Sequence, residues 1–331
     1  EGTAAKNLAA LLPLVNPHTC RRMMWCTDDR HAHDLLTEGH IDFIVRSAVD
    51  QGLDPVVAVQ MATLNPAEFF GVRHLGAVAP GRRADLLVID DLHMLKIGRV
   101  YSRGRLVATD GRIVDGIETP RSIRAPLAMR VPPGALDFSI ATTGRRMRVI
   151  EIVPDQIITR SIVAEARIED GRAISDPGRD LLKIAVVDRH SGTGRTAAAF
   201  VKGLGLKQGA IASSVAHDAH NIIVAGVGDR DMSAAVETIV KMAGGLAVVS
   251  DGRILAQLAL PIAGLMSEAP LAEVAAGLDR MIAATHFLGS PLGDPFMTLS
   301  FLALPVIPAL KLTDRGLVDV EKFQIVPLFV E

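Results

Sequence analysis

The sequence predicts an α/β chain in three successive segments: a helix–strand–helix segment over residues 1–75, a small β-structured module over 76–125, and an α+β region over 126–331. Three observations carry this. Apolar residues at helical spacing surround one short apolar strand at the start; a Gly/Pro-rich stretch with an Asp-Gly hairpin signal follows; beyond it, strand-length and helix-length apolar runs alternate.

In the first segment Thr3 is a candidate N-cap for a helix through Ala4, Leu8 and Leu11, which Pro13, Asn16 and Pro17 stop. Residues 22–27 form a short, largely apolar strand that ends in the polar cluster Asp28, Asp29, Arg30, His31, His33 and Asp34. Ile41, Ile44, Val45, Ala48 and Val49 then fall on one helical stripe. Asp54-Pro55 and Asn65-Pro66 each suggest an N-cap with proline at the first helical position, the second with Glu68 completing a capping box. In the second segment residues 84–89 are strand-like, and residues 106–108 and 112–114 flank the Asp110-Gly111 turn. Residues 118–133 hold several prolines and arginines without periodicity and suit a linker. In the third segment residues 184–187, 211–216, 222–227, 246–249 and 253–258 are expected strands, and residues 196–204, 232–242 and 271–284 expected helices.

Composition narrows the classes of function. A chain of 331 residues, 49% apolar and carrying 35 basic against 37 acidic side chains, suits a soluble globular protein of two or three domains. It has no Lys/Arg-rich stripe, which excludes a nucleic-acid partner and favours a small molecule. The apolar stretch 254–265 is broken by Gln257, Pro261 and Gly264 and falls short of the ~20 residues a membrane helix needs, so no membrane partner is expected. Cys20 and Cys26 are expected to be buried thiols in a reducing cytoplasm. The chain opens at Glu1 without Met or a leader and reads as cut from something longer.

Two clusters could carry chemistry. Asp28 and Asp29 follow an apolar strand, and carboxylates at the C-terminal ends of strands in a (β/α) barrel stand where active sites are built. The competing explanation is a helix cap or a solvated loop. The second cluster, Ser213, Ser214, His217, Asp218, His220 and Asn221, lies between two apolar strands. Burying such groups is costly unless they are hydrogen-bonded, so either a ligand or a closed structural network must account for them. A third stretch, Ser191-Gly192-Thr193-Gly194-Arg195-Thr196, has the look of a phosphate loop but neither of the phosphate-loop patterns, and reads as a glycine-rich turn leading to an N-cap.

Several stretches together resemble one family. Residues 76–88 are similar to the segment by which amidohydrolases leave their barrel for a small β-sandwich. Glu1-Gly2-Thr3-Ala4-Ala5-Lys6-Asn7-Leu8, Cys26-Thr27-Asp28-Asp29-Arg30 with His40-Ile41-Asp42, the stretch 213–221, Gly244-Gly245-Leu246 and residues 261–267 resemble the bacterial adenine deaminases, so the likeness covers essentially the whole chain. The resemblance implies the C-terminal end of a TIM-like barrel over 1–75, a β-sandwich segment over 76–125 and an appended α+β domain over 126–331. It also implies a two-metal site of Mn or Fe, with Zn possible, that hydrolyses adenine to hypoxanthine and ammonia. On it Asp28 is the metal ligand and proton shuttle contributed by the eighth strand, with Asp29 the less favoured register. The other ligands and the acid that protonates the ring are expected upstream, on the N-terminal barrel segment of the same protein. Ser214, His217, Asp218, His220 and Asn221 become candidates for contacting the purine or supporting those that do. A homo-oligomer is the expected assembly. The competing readings are an amidohydrolase acting on a cyclic amide or guanine-type base, and a non-catalytic structural or oligomerisation module.

Overall fold

The computed structural model describes residues 2–3, 6–117, 129–132, 134, 136–154 and 156–330, so most of the expected linker lies outside the described residues. The chain divides into two compact units, Glu1–Arg121 and Ser122–Glu331. Both mix helices and sheets, as an α/β chain should.

The first unit runs α1 (Leu8–Leu11), α2 (Ala32–Thr37), α3 (Ile41–Asp50), α4 (Pro55–Ala62) and α5 (Leu64–Phe69), then strands β1 (Leu86–Asp91), β2 (Lys96–Ser102), β3 (Arg105–Thr109) and β4 (Arg112–Ile113). The predicted stripe of α3 is the buried one: Ile44, Val45 and Ala48 are buried, and Ile41 and Val49 pack with Val45, Ala58 of α4 and Leu95 of the β1–β2 turn. Asp54 caps α4 by accepting from the Val56 and Val57 N–H groups at 3.0 Å each. The four strands form an antiparallel meander, and the β3–β4 turn places both Asp110 (φ 47°) and Gly111 (φ 75°) in the left-handed region that its two central positions require.

Four expectations for this unit need correction. Helix α1 begins at Leu8, because the Thr3 hydroxyl is used elsewhere: it accepts from the His31 N–H at 2.9 Å and donates to Asp34. Residues 23–27 are extended but form no strand, since β1–β4 pair only with one another and a strand needs a hydrogen-bonded neighbour; Trp25 instead reaches α4, donating its backbone N–H to Met61 O at 3.3 Å and its indole N–H to Ala58 O at 2.8 Å. Asn65 lies inside α5 rather than capping it, its amide held by the carbonyls of Cys20 (2.7 Å) and Met23 (2.8 Å), and Glu68 pairs with Arg21. Cys26 is exposed and Cys20 half-buried, because neither packs into the cluster around Val45, Ala58 and Leu95 that forms this unit's core.

The second unit begins with β5 (Ile140–Ala141), β6 (Arg146–Ile152), β7 (Thr159–Glu165), β8 (Arg167–Glu169), β9 (Arg172–Ile174), β10 (Leu181–Val187), β11 (Thr196–Lys202), β12 (Ala210–Ser213) and β13 (Ile222–Gly226). It continues through α6 (Asp229–Lys241), β14 (Gly245–Ser250), β15 (Arg253–Ala259), α7 (Leu271–Phe287), α8 (Pro295–Phe301), β16 (Leu310–Thr313), β17 (Gly316–Asp319), β18 (Gln324–Val326) and β19 (Phe329–Val330). A nine-stranded sheet in the order β15-β14-β12-β13-β10-β11-β6-β19, with β7 also on β6, is the frame. Its pairs are antiparallel except β11 with β6.

Every residue of β10, β12, β13 and β14 is buried, as strands covered on both faces must be. Alternation then sorts their side chains. Ile184, Val186, Ile211, Ile223, Leu246 and Val248 meet Met281 of α7 and Leu299 of α8 on one face; Ala185, Val187, Ala212, Val224, Ala247 and Val249 meet Met232, Val236 and Ile239 of α6 on the other.

One sequence expectation fails outright here. Residues 196–202 form β11, not a helix, although their alanines favour helix. They pair with β10 over its whole length, from Val187↔Thr196 to Leu181↔Lys202, and β10, buried along its whole length inside the sheet, needs a hydrogen-bonded partner on each side. The glycine-rich stretch before them is therefore the hairpin loop between β10 and β11 rather than the approach to an N-cap. Asp188 organises that loop by accepting from His190 N at 2.9 Å, Thr193 Oγ1 at 3.2 Å and the Ser191 hydroxyl. Burial pushes its carboxyl up, but these hydrogen bonds outweigh it and hold the pKa at about 2.

Candidate functional site

Asp28 and Asp29 stand at the end of the extended Met23–Thr27 run, as the sequence suggests for carboxylates on a loop. Asp28 is exposed, has a left-handed backbone (φ 56°) and borders a cavity of about 260 Å³ whose apolar wall includes Leu8, Trp25 and Met61. Asp29 points inward. Both of its carboxylate oxygens are buried with no hydrogen-bond partner among the described residues, against Gly2, where a methyl group would collide with Oδ1. The loop is fastened from several sides. Thr3 donates its N–H to Asp29 O at 3.3 Å, and Arg30 pairs with Glu38 and lies 4.6 Å over the Phe43 ring. Across the loop the Thr27 hydroxyl and His40 Nε2 are 3.2 Å apart.

A buried carboxylate without a donor is expensive in an isolated fold, and hard oxygen donors of this kind suit a divalent cation or a cationic neighbour. The pair Asp28 and Asp29 thus fits a metal chemically. Among the described residues no group of three or more His, Cys, Asp or Glu side chains could hold a metal ion.

In the second unit the structure draws some of the expected residues together and parts others. The rings of His217 and His220 lie 5.7 Å apart, and His217 also packs 4.7 Å from Phe301 at the end of α8. Its backbone N–H donates to Ser300 O at 3.2 Å, while its Nε2 is buried without a partner among the described residues. His220, at φ 49°, folds back so that Nδ1 accepts from Ala216 N at 3.3 Å. Asn221, buried, donates to Asp314 Oδ1 at 3.2 Å and accepts from Arg189 N at 3.4 Å. Ser214 is fully buried and serves as a tie: it donates to Gly264 O at 2.6 Å and accepts from Gly245 N at 2.7 Å. Asp218 faces solvent.

Three residues that the sequence did not single out hold this arrangement. Arg189, almost fully buried, binds His220 O through Nε and Ala263 O through Nη2 at 2.9 Å, strapping together the loops around residues 220 and 263. Asp314 joins Asn221 to Arg195. Lys311 is buried and holds Phe301 O at 3.0 Å and Ile157 O at 2.9 Å; burial pushes its pKa down to about 8. One signal could have found two of them: Arg189 and Asp314 each stand just past a strand-like run, as Asp28 does.

Burial, and then the neighbouring His217 and Arg189, push the His220 pKa below 6.5. The unfolded chain then binds a proton that the folded chain refuses, so this part of the stability is complete above pH 6.5 and is lost as pH falls through the lowered value. His220→Asn keeps an acceptor for the Ala216 N–H and should flatten the acid limb. Melting temperatures at about pH 7.5 and about pH 5.5 should lie closer together in the variant than in the parent. An unchanged gap would remove His220 as the cause.

Residues 1–118 match the amidohydrolase family. Residues 156–324, over half of the chain, match the adenine deaminase C-terminal domain, and the chain belongs to that family. Among curated relatives, the adenine deaminase of Desulfatibacillum aliphaticivorans is 50% identical over 99% of this chain and 58% of its own length. The adenine deaminases of Methanothrix thermoacetophila and Geobacillus kaustophilus are 49% and 46% identical, over 100% and 99% of this chain and 58% of each relative. The chain thus spans about 58% of the length of these relatives. Among the described residues no helix is long and apolar enough to cross a membrane.

Proposed function

We propose that the whole protein hydrolyses adenine to hypoxanthine and ammonia, a step of purine salvage in the cytoplasm. In this account residues 1–75 close a TIM-like barrel, 76–125 form a β-sandwich segment, and 126–331 form the appended domain. The observation that carries the proposal is the pair of carboxylates on one loop: exposed Asp28 beside Asp29, whose buried oxygens have no donor. Asp28 is the metal ligand of this chain; the remaining ligands come from the N-terminal barrel segment of the same protein, which acts as a homo-oligomer. The bound metals, Mn or Fe with Zn as the alternative, would supply a water acidified toward neutrality for addition at C6 of adenine. Asp28 would accept a proton from the attacking water and return it toward the departing amine, the shuttle a carboxylate in this position can perform. Asp29 holds Asp28 and its loop in register from the buried side.

The second cluster reads the purine. A base edge offers donors and acceptors together, and the His217 imidazole, whose Nε2 is buried without a partner, and the Asn221 amide can match such an edge while penalising analogues that leave them unpaired. Ser214 supports this segment by tying it to Gly245 and Gly264. In the full-length enzyme His217→Ala and Asn221→Ala should lower kcat/KM for adenine more than they lower stability. Steady-state ammonia release and denaturant unfolding check this together. A loss of about 1–3 kcal/mol in stability with near-normal kinetics is the signature of a folding network and would contradict the proposal.

A further inference from the structure

Two buried lysines of the second unit are held in different ways. Lys183 of β10 reaches both carboxylate oxygens of Asp229, at 2.7 and 2.9 Å, the pairing that a buried ammonium ordinarily requires. Lys311 of β16 is fully buried and has no such partner among the described residues. Its Nζ donates only to carbonyls, Ile157 O at 2.9 Å and Phe301 O at 3.0 Å.

Capping α8 does not account for that ammonium. Phe301 O already accepts from Leu304 N at 3.2 Å, Leu302 O from Leu312 N at 2.9 Å, and Ser300 O from His217 N at 3.2 Å, so these carbonyls at the helix end have backbone donors without Lys311. A charge buried at a cost, where the helix end has no unmet need for it, marks a residue kept for what it positions. The carbonyl that Lys311 grips belongs to the residue that seats His217. The Phe301 ring lies 4.7 Å from the His217 ring, tilted by 46°, and the neighbouring Ser300 carbonyl holds the His217 N–H.

We propose that Lys311 is a positioning residue for the deamination: it ties the end of α8 to the segment before β7 and, through Phe301, fixes the plane of the His217 imidazole. This rests on the reading that His217 recognises the purine and adds the group that sets its orientation. Lys311 touches neither substrate nor metal; it acts only through the seat it holds.

Lys311→Met keeps the apolar stem and removes the ammonium. In full-length, metal-loaded enzyme it should raise KM for adenine about tenfold and leave kcat within about twofold, the split expected when a binding group rather than a reacting group loses its orientation. The same substitution in the His217→Ala background should change KM no further, because its route is gone. In the 331-residue chain with labelled histidine, the His217 ring resonances, identified by their loss in His217→Ala, should shift in Lys311→Met. Lys311→Gln, which retains an amide donor for one carbonyl, should fall between parent and Lys311→Met and serves if the latter does not fold. A parental KM in Lys311→Met, or an equal rise in KM with and without His217, overturns the inference; the purine reading then still stands if His217→Ala alone raises KM. A parental KM in His217→Ala defeats the purine reading instead, and the ring resonances alone then decide whether Lys311 sets the imidazole, their constancy overturning it.

Discussion

Asp28→Asn in the full-length protein should reduce kcat for adenine by roughly a hundredfold or more while the fold stays intact. The residue is exposed, so the substitution leaves no cavity and no new unpaired group inside. What it removes is a proton acceptor and an anionic ligand, so metal content should fall as well. Atomic absorption, circular dichroism and steady-state kinetics on the same preparation read the three effects separately. Near-parental kcat in metal-loaded enzyme would clear Asp28 of its role and make Asp29, with its buried carboxylate, the next residue to test.

The largest effect expected on stability belongs to Gly245→Ala. Gly245 opens β14 at φ 139°, a region that side chains rarely adopt, and a methyl group there would run into the Leu258 carbonyl oxygen of β15. Strand pairing with Ala259 and the bonds to Ser214 depend on the same residue: its N–H donates to Ser214 Oγ at 2.7 Å and its carbonyl accepts from Ser214 N at 3.0 Å. Backbone strain of this kind costs about 1–3 kcal/mol, and displacing the backbone of β15 adds to it, so the loss should exceed about 3 kcal/mol. The denaturant midpoint of the chain should drop sharply. A midpoint equal to the parent's would show that the edge strand yields without cost. Gly228→Ala is the control, because nothing lies within 4 Å of the added methyl and φ is −132°.

Local signals were legible where one element could satisfy itself. The apolar stripe of α3, the Asp54 cap with Pro55, and the Asp110-Gly111 turn depend on neighbours within a few residues, and each forms as its pattern suggests. The apolar runs of β10, β12, β13, β14 and β15 also read as strands, but elements whose local preference a distant partner must override, or whose partner is missing, were not legible. The alanines of β11 favour helix until β10 supplies a partner, and the apolar run before Asp28 has strand composition but no paired strand among the described residues. The same division holds for the candidate site. Asp28, His217 and Asn221 announce themselves as polar residues next to apolar runs, whereas Arg189 and Lys311 act through contacts 31 and 154 residues away that no spacing reveals. Ser214 looked chemical in the sequence, and its bonds to Gly245 and Gly264 make it a tie between three backbone segments.

The central claim is that the protein to which this chain belongs removes ammonia from adenine. Full-length protein, purified and loaded separately with Mn, Fe or Zn, should be mixed with adenine while hypoxanthine is followed by its absorbance and ammonia by a coupled assay. Equimolar hypoxanthine and ammonia, dependent on metal and lost in Asp28→Asn, is the predicted result. No turnover of adenine with any of the metals, or equal turnover by the Asp28→Asn enzyme, would contradict the account.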